Sequence, residues 1–367
     1  MSRPTIFSFF AGAGFLDLGF ESNLFEIAYV NEFHKPFMEI YKFSRHKLNL
    51  PEPKYGYFNG DIACLLEGHH KSRLDTYIKE SSSNSDIIGF IGGPPCPDFS
   101  VGGKNRGSSG DNGKLSATYA ELICQQKPAF FLFENVKGLW QTKKHREFYE
   151  AMKRKFHDHG YFTVERLVNA LEYGVPQHRD RIILIGFHET LLRELNHQEL
   201  QFPWENYLSY RSEEIFALEW PTTNQFEEDS SLLASKGIEL ELTIEHWFKK
   251  NDVQSHPNAE MHFQPRAGIT KFLAIPEGDD SKKSYKRLHR WRYSPAAAYG
   301  NNEVHLHPYK ARRISVAEAL AVQSLPKEFA LPQDTTLTNA FKSIGNGVPY
   351  LASKSIAKSI FDFLGCK

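Results

Sequence analysis

The chain has 367 residues, 41% of them hydrophobic, with 44 Lys plus Arg against 44 Asp plus Glu. That length has room for one large and one smaller domain, and no apolar run approaches helical membrane-spanning length, so no membrane partner is expected. Zero formal charge does not announce a nucleic-acid partner, and four unpaired-looking cysteines (Cys64, Cys96, Cys124, Cys366) suggest neither a disulfide framework nor a metal site.

Met1-Ser2-Arg3-Pro4 leads straight into an apolar segment without a signal-peptide pattern, which predicts a cytoplasmic protein. Thr5–Phe10, Ile27–Val30, Ile87–Ile91, Ala129–Phe133, Phe162–Glu165 and Ile182–Phe187 read as buried strands. Between them, Tyr119, Leu122 and Ile123, and then Phe148, Met152 and Phe156, recur at helical spacing. This alternation predicts an α/β fold with a mainly parallel sheet covered by helices. Beyond about Thr190 the pattern changes to a loop-rich stretch with few strands, expected to form a smaller second domain. Ser315 with Glu318 three residues on predicts a capping box opening a helix over Ile314–Leu325. Tyr350–Leu364 reads as a closing amphipathic helix.

Chemistry-bearing residues cluster where these strands end. Phe10-Ala11-Gly12-Ala13-Gly14 follows the first strand, where glycines permit a tight turn and close backbone approach by a ligand. Glu32 lies twenty residues beyond Gly12, a spacing suited to accepting hydrogen bonds from ribose hydroxyls. With Gly60-Asp61-Ile62 after a third strand, an adenosine-type cofactor is the better reading than an ordinary turn. The turn is not a full GxGxxG, which argues against a dinucleotide.

Gly92-Gly93-Pro94-Pro95-Cys96-Pro97-Asp98-Phe99-Ser100 displays one cysteine between prolines at the edge of the sheet where ligands bind. That setting suits a nucleophile better than a packed core thiol. The Gly- and Ser-rich Val101–Lys114 reads as a lid or as a plain surface loop. Glu134, in Phe133-Glu134-Asn135-Val136, is a candidate acid or substrate partner, or a helix-capping carboxylate. Arg179 and Arg181 alternate in Gln177-His178-Arg179-Asp180-Arg181, so both are expected on one face of an extended segment. Gly345-Asn346-Gly347-Val348-Pro349 reads as a turn before the last helix. Lys282–Arg292 (KKSYKRLHRWR) interleaves basic and aromatic residues, followed by Lys310, Arg312 and Arg313; it is a solvated face or a nucleic-acid contact.

Taken in order, FAGAG, GGPPCPDFS, FENV, QHRDR and GNGVP resemble the signature blocks of the DNA cytosine-5 methyltransferases, particularly bacterial restriction–modification enzymes. The likeness covers nearly the whole chain except about Thr190–Ser281, and Arg312–Ala319 with Gln323–Pro326 adds to it. It implies a Rossmann-like S-adenosylmethionine-dependent domain over residues 1–190 and a target-recognition domain over 191–311. A hinge and connecting helix follow over 312–339, and a segment over 340–367 returns to the catalytic domain. It implies that Cys96 attacks C6 of a flipped cytosine, that Glu134 holds the N3 and amino edge, and that Arg181 binds the carbonyl oxygen. Arg179 would support the cysteine side. Phe10, Gly12, Gly14, Glu32, Asp61, Ile62, Pro94 and Asn346 would bind the cofactor. Double-stranded DNA is the implied substrate, a cognate restriction endonuclease encoded nearby an implied partner, and a nucleoid-associated monomer the implied state.

Three departures from the family pattern stand out. Phe15 replaces a frequent glycine, Pro97 replaces the usual glutamine, and Pro295–Tyr299 lacks the usual Thr-Leu or Thr-Val pair. The target sequence therefore does not transfer. Methylation of tRNA cytosine on the same scaffold, and a catalytically silent DNA-binding relative, are the competing readings.

Overall fold

The computed structural model describes residues 3–83, 87–95, 111–196, 199–265, 269–282, 284–297, 299 and 303–366. Cys96, Pro97 and most of the expected lid therefore lie outside the described residues; of that segment, residues 111–114 already belong to the helix Asp111–Gln126.

Seven strands form one sheet: β1 (Thr5–Phe9), β2 (Glu26–Asn31), β3 (Tyr57–Phe58), β4 (Ile88–Gly92), β5 (Phe130–Val136), β6 (Tyr161–Asn169) and β7 (Asp180–His188). Their order is β3-β2-β1-β4-β5-β7-β6. The first five run parallel, whereas β7 is antiparallel to both β5 and β6. The expected mainly parallel sheet is what forms. Its central strands are mostly apolar because helices cover both faces; β1 and β4 are buried at every position.

Chain order reverses between β1 and β4, so a crevice opens outside their carboxyl ends. The antiparallel insertion of β7 has a consequence for function. Its first residues lie beside the last residues of β5, with Val136 opposite Arg181. Side chains from opposite ends of two strands thereby meet at one edge.

The helix Tyr350–Phe363 returns to pack against Phe15–Glu21 on one face of the sheet. A Cβ on Gly19 would sit 2.1 Å from Ser353 Oγ, so only glycine permits this approach. The capping box at Ser315 forms as expected, and its helix is Val316–Val322. The glycine-asparagine motif differs from expectation: the helix Leu337–Asn346 runs through Asn346 before the chain turns.

The stretch after Thr190 contains short helices and isolated bridges. It is not an independent island, since Ile244, Trp247, Leu288 and Tyr299 share a hydrophobic cluster with Ala13, Phe15 and Ile40. The basic run is the clearest correction. Arg287 is fully buried and donates to the carbonyls of Phe272, Ile275, His307 and Lys310. Arg290 makes a two-pronged pair with Glu277, at 2.9 and 2.8 Å, beneath the ring of Tyr309. Arg292 is held by Asp280 and by the carbonyl of Gly278. These three guanidiniums build the fold; they are not free for phosphates.

Among the described residues no helix is long and apolar enough to cross a membrane. Arg290→Ala strands Glu277 as a buried unpaired carboxylate. Denaturant unfolding is expected to show a loss of about 3–5 kcal/mol, and a loss below about 1 kcal/mol would contradict this placement.

Candidate active site

Four strand exits are laced together on the cofactor side and its border. After β1 the chain bends sharply: Phe10 adopts φ 52°, a rare conformation for an aromatic residue, and its ring meets Tyr119 edge-on at 5.9 Å. Gly12 and Gly14 follow with φ 57° and 84°. Gly14 needs its missing side chain, because a Cβ there would lie 2.7 Å from the Tyr41 ring. At Gly12 no atom of the described residues lies within 4 Å of the Cβ position. That space is free for a ligand to approach the backbone.

Glu32, at the exit of β2, joins this turn directly. One carboxylate oxygen accepts from Gly12 N at 2.9 Å and the other from His34 N at 2.7 Å. Burial pushes its pKa upward against those backbone donors. Each oxygen retains a lone pair for a further donor. Asn31 donates to the carbonyls of Phe58 and Gly60, fastening the exit of β3 alongside. Asp61 is exposed there and caps the next turn by accepting from Ala63 N, while Ile62 is buried. Phe10, Gly12, Gly14, Glu32, Asp61 and Ile62 are thus brought to one edge.

The other side of the crevice is charged. Glu134, at the end of β5, is buried and pairs through Oε1 with Arg181 Nε at 2.8 Å. A Cβ on Gly93 would meet Glu134 Oε2 at 2.8 Å, so the glycine lets the β4 exit pass close to this carboxylate. Asn135 reaches the buried Pro94 carbonyl at 3.4 Å and joins the same two exits. Cys96, three residues beyond Gly93 in sequence, lies outside the described residues.

Arg179 and Arg181 do not converge on one partner. Arg179 is buried and donates to Gly345 O at 2.7 Å, Gly347 O at 3.1 Å and Ala297 O at 3.2 Å. Burial first, and Arg181 second, push its pKa well down; the surrounding carbonyls favour the charged form. Asn346, between the two glycines that accept from Arg179, is exposed.

Sequence reading passed over two residues that hold this arrangement. Gln177 and Gln323 are fully buried and joined by an amide contact of 3.2 Å. Gln177 Oε1 accepts from Ala297 N at 3.0 Å, and Gln323 Nε2 donates to Ile344 O at 2.7 Å. Gln177 stood within the quoted QHRDR motif, but its partners lie 120 and 146 residues away. Among the described residues no cluster of three or more His, Cys, Asp or Glu could hold a metal ion.

Comparison with known proteins gives the chain its family. The sequence profile of the C-5 cytosine-specific DNA methylases matches residues 5–362. The chain belongs to that family. It is 57% identical over 362 residues to the type II methyltransferase M.NmeDI of Neisseria meningitidis serogroup C, covering 99% of this chain and 84% of that one. It is 28% identical to M.FnuDI of Fusobacterium nucleatum, over 97% of this chain and 95% of that protein. Among solved structures, a putative DNA modification methyltransferase encoded within an E. coli prophage superposes with TM-score 0.67 at 19% identity, covering 99% of this chain and all of that one. Spodoptera frugiperda DNMT2 superposes with TM-score 0.61 at 15% identity, covering 98% and 100%. Both share the fold. The chain is a DNA cytosine-5 methyltransferase, acting on DNA.

The cost of filling the two glycine positions should differ. Gly14→Ala adds a clash with Tyr41, whose hydroxyl is tied to Asp17 at 2.7 Å, to the strain of a left-handed backbone. Gly12→Ala adds the strain alone, about 1–2 kcal/mol. Thermal melting should place Gly14→Ala clearly below Gly12→Ala; equal midpoints would contradict the packing at Tyr41.

Proposed function

We propose that the chain methylates C5 of a cytosine within a specific duplex DNA sequence, using S-adenosylmethionine, as the modification half of a type II restriction–modification system. The Glu134–Arg181 pair beside Gly93, in the same crevice as the Gly12–Glu32 turn, carries this reading. The names of the similar bacterial relatives support the biological setting. On this reading a cognate endonuclease is the functional partner and the enzyme works as a monomer. Residues 191–311 serve as the target-recognition domain.

The residues fit the methyl donor. Gly12 leaves open space at a turn, and Glu32 offers carboxylate lone pairs to ribose hydroxyls. Phe10, Ile62 and Asp61 would hold its adenine end, and Gly14, Pro94 and Asn346 would complete the surround. Bound S-adenosylmethionine supplies an electrophilic methyl group.

The remaining chemistry belongs to the chain. Cytosine C5 is a weak nucleophile while the ring is aromatic. On flipping of the base, Cys96 Sγ forms a bond to C6, and the displaced π electrons run toward N3 and make C5 enamine-like. Glu134 holds the N3 and amino edge, where that electron density gathers. Arg181, fixed by Glu134, presents its remaining N–H groups to the base carbonyl oxygen. Arg179 keeps the Gly345–Gly347 turn and Ala297 in place around them. Once C5 carries the methyl group, its proton passes to water, the pair of that C–H bond re-forms the C5–C6 double bond, and Cys96 leaves C6 as a thiolate with the S–C6 pair.

Purified enzyme should methylate duplex DNA at a defined site and leave tRNA unmodified; the reverse preference would overturn the reading in favour of RNA. Cys96→Ser should abolish transfer and covalent trapping on a 5-fluorocytosine duplex while leaving duplex affinity intact, and undiminished transfer would remove Cys96 from its role. A drop in turnover of about 10²–10⁴-fold is expected for Glu134→Gln. Calorimetry should show Gly12→Ala weakening S-adenosylmethionine at least tenfold.

A further inference from the structure

The correction of the basic run leaves a question of which cations remain for DNA. Arg287, Arg290 and Arg292 are engaged within the fold. Arg312 is chelated by Glu318 through two contacts of 2.8 Å, and His307 approaches the same carboxylate at 3.3 Å. Glu318 therefore has no oxygen left for a neighbour. Beside it, Arg313 stands apart.

Arg313 is half-buried, and its Nε is shielded from solvent without a hydrogen-bond partner among the described residues. Its guanidinium carbon lies 5.5 Å from the centre of the Phe263 ring and 5.6 Å from that of Tyr285. Phe263 stacks in turn on Phe341, at 5.5 Å and 23°, in the helix that ends at Asn346. The backbone of Arg313 is fixed by bridging to Leu306. A planar cation is thus oriented by two rings, and among the described residues no side-chain hydrogen bond engages it, an arrangement that favours an oxyanion reached through its terminal N–H groups.

The surroundings suit a polyanion. Lys271 and Lys282 are exposed and Lys286 is partly so, flanking Tyr285, which also meets Phe272 at 5.6 Å. The nearby carboxylates are occupied: Asp279 caps Ser281, and Asp280 holds Arg292. We infer that Arg313 is a DNA-backbone contact, donating its guanidinium N–H groups to a phosphate of the bound duplex between Phe263 and Tyr285. The inference rests on duplex DNA being the substrate.

One phosphate contact has a distinct signature, a contribution of about 0.9 to the slope of log affinity against log salt. Wild type, Arg313→Ala and Arg313→Lys are compared on the same cognate duplex from 50 to 200 mM salt, with S-adenosylmethionine affinity and thermal midpoint as controls. Arg313→Ala should weaken DNA about tenfold at low salt and lower the slope by about 0.9. Arg313→Lys, which keeps the charge, should retain the slope. Neutralising duplex phosphates one at a time as methylphosphonates should weaken wild type at a position where Arg313→Ala is indifferent. An unchanged slope in Arg313→Ala overturns the contact, whether or not the midpoint falls. An unchanged slope with poorer discrimination against single-base mismatches overturns it in favour of base reading. If Arg313→Ala does not fold, the lysine variant and the methylphosphonate series decide: wild type indifferent to every neutralised phosphate overturns the inference. Wild type that neither binds nor methylates any duplex would instead overturn the substrate on which the inference rests.

Discussion

A guanidinium removed from water must find oxygen atoms around it, and Arg179 finds them on segments that are remote in sequence. Gly345 and Gly347 supply two carbonyls and Ala297 a third. The chain cannot bury this charge without bringing the entrance of β7, the end of the Leu337–Asn346 helix and the segment around Ala297 together. Gln177 and Gln323 extend the same constraint, since each amide group left unpaired at full burial would cost roughly 1–3 kcal/mol. The crevice is therefore shaped from behind by polar groups that do not themselves face it.

On that frame the sheet performs a sorting task. The exits of β1, β2 and β3 present backbone amides and carboxylate oxygens, suited to a ribose and an adenine. The exits of β4 and β5, met by the start of β7, present a carboxylate and a guanidinium. Because β7 runs against its neighbours, Arg181 reaches Glu134 across a strand pair and no loop is needed to bring it there. Rigid strands give such a pair better definition than flexible connections.

Much of this was legible before any coordinates. Apolar runs placed six strands; five are buried and leave a nearly unbroken hydrophobic signal, whereas β6, read as buried, is an edge strand with Phe162 exposed. Ser315 and Glu318 announced their helix through a local rule that acts over three residues. The failures were non-local. β3 is two residues long and shows no run of its own, so only the Gly60-Asp61-Ile62 turn after it marked its place. Lys282–Arg292 looked like a solvated face, yet Arg287 and Arg290 are buried because Glu277 and a set of carbonyls, invisible as a pattern, lie opposite them. Arg179 and Arg181 were singled out together, but spacing could not say that one would hold backbone turns and the other a carboxylate.

The fit of Gly19 against Ser353 reaches beyond the finished enzyme. The first helix, which carries the glycine turn into the core, has one face closed by residues 350–363. During synthesis that face, with Leu16, Phe20 and Phe25, stays uncovered until nearly the whole polypeptide has left the ribosome. A nascent chain interrupted before residue 350 would carry that apolar face exposed, a liability that the finished fold hides.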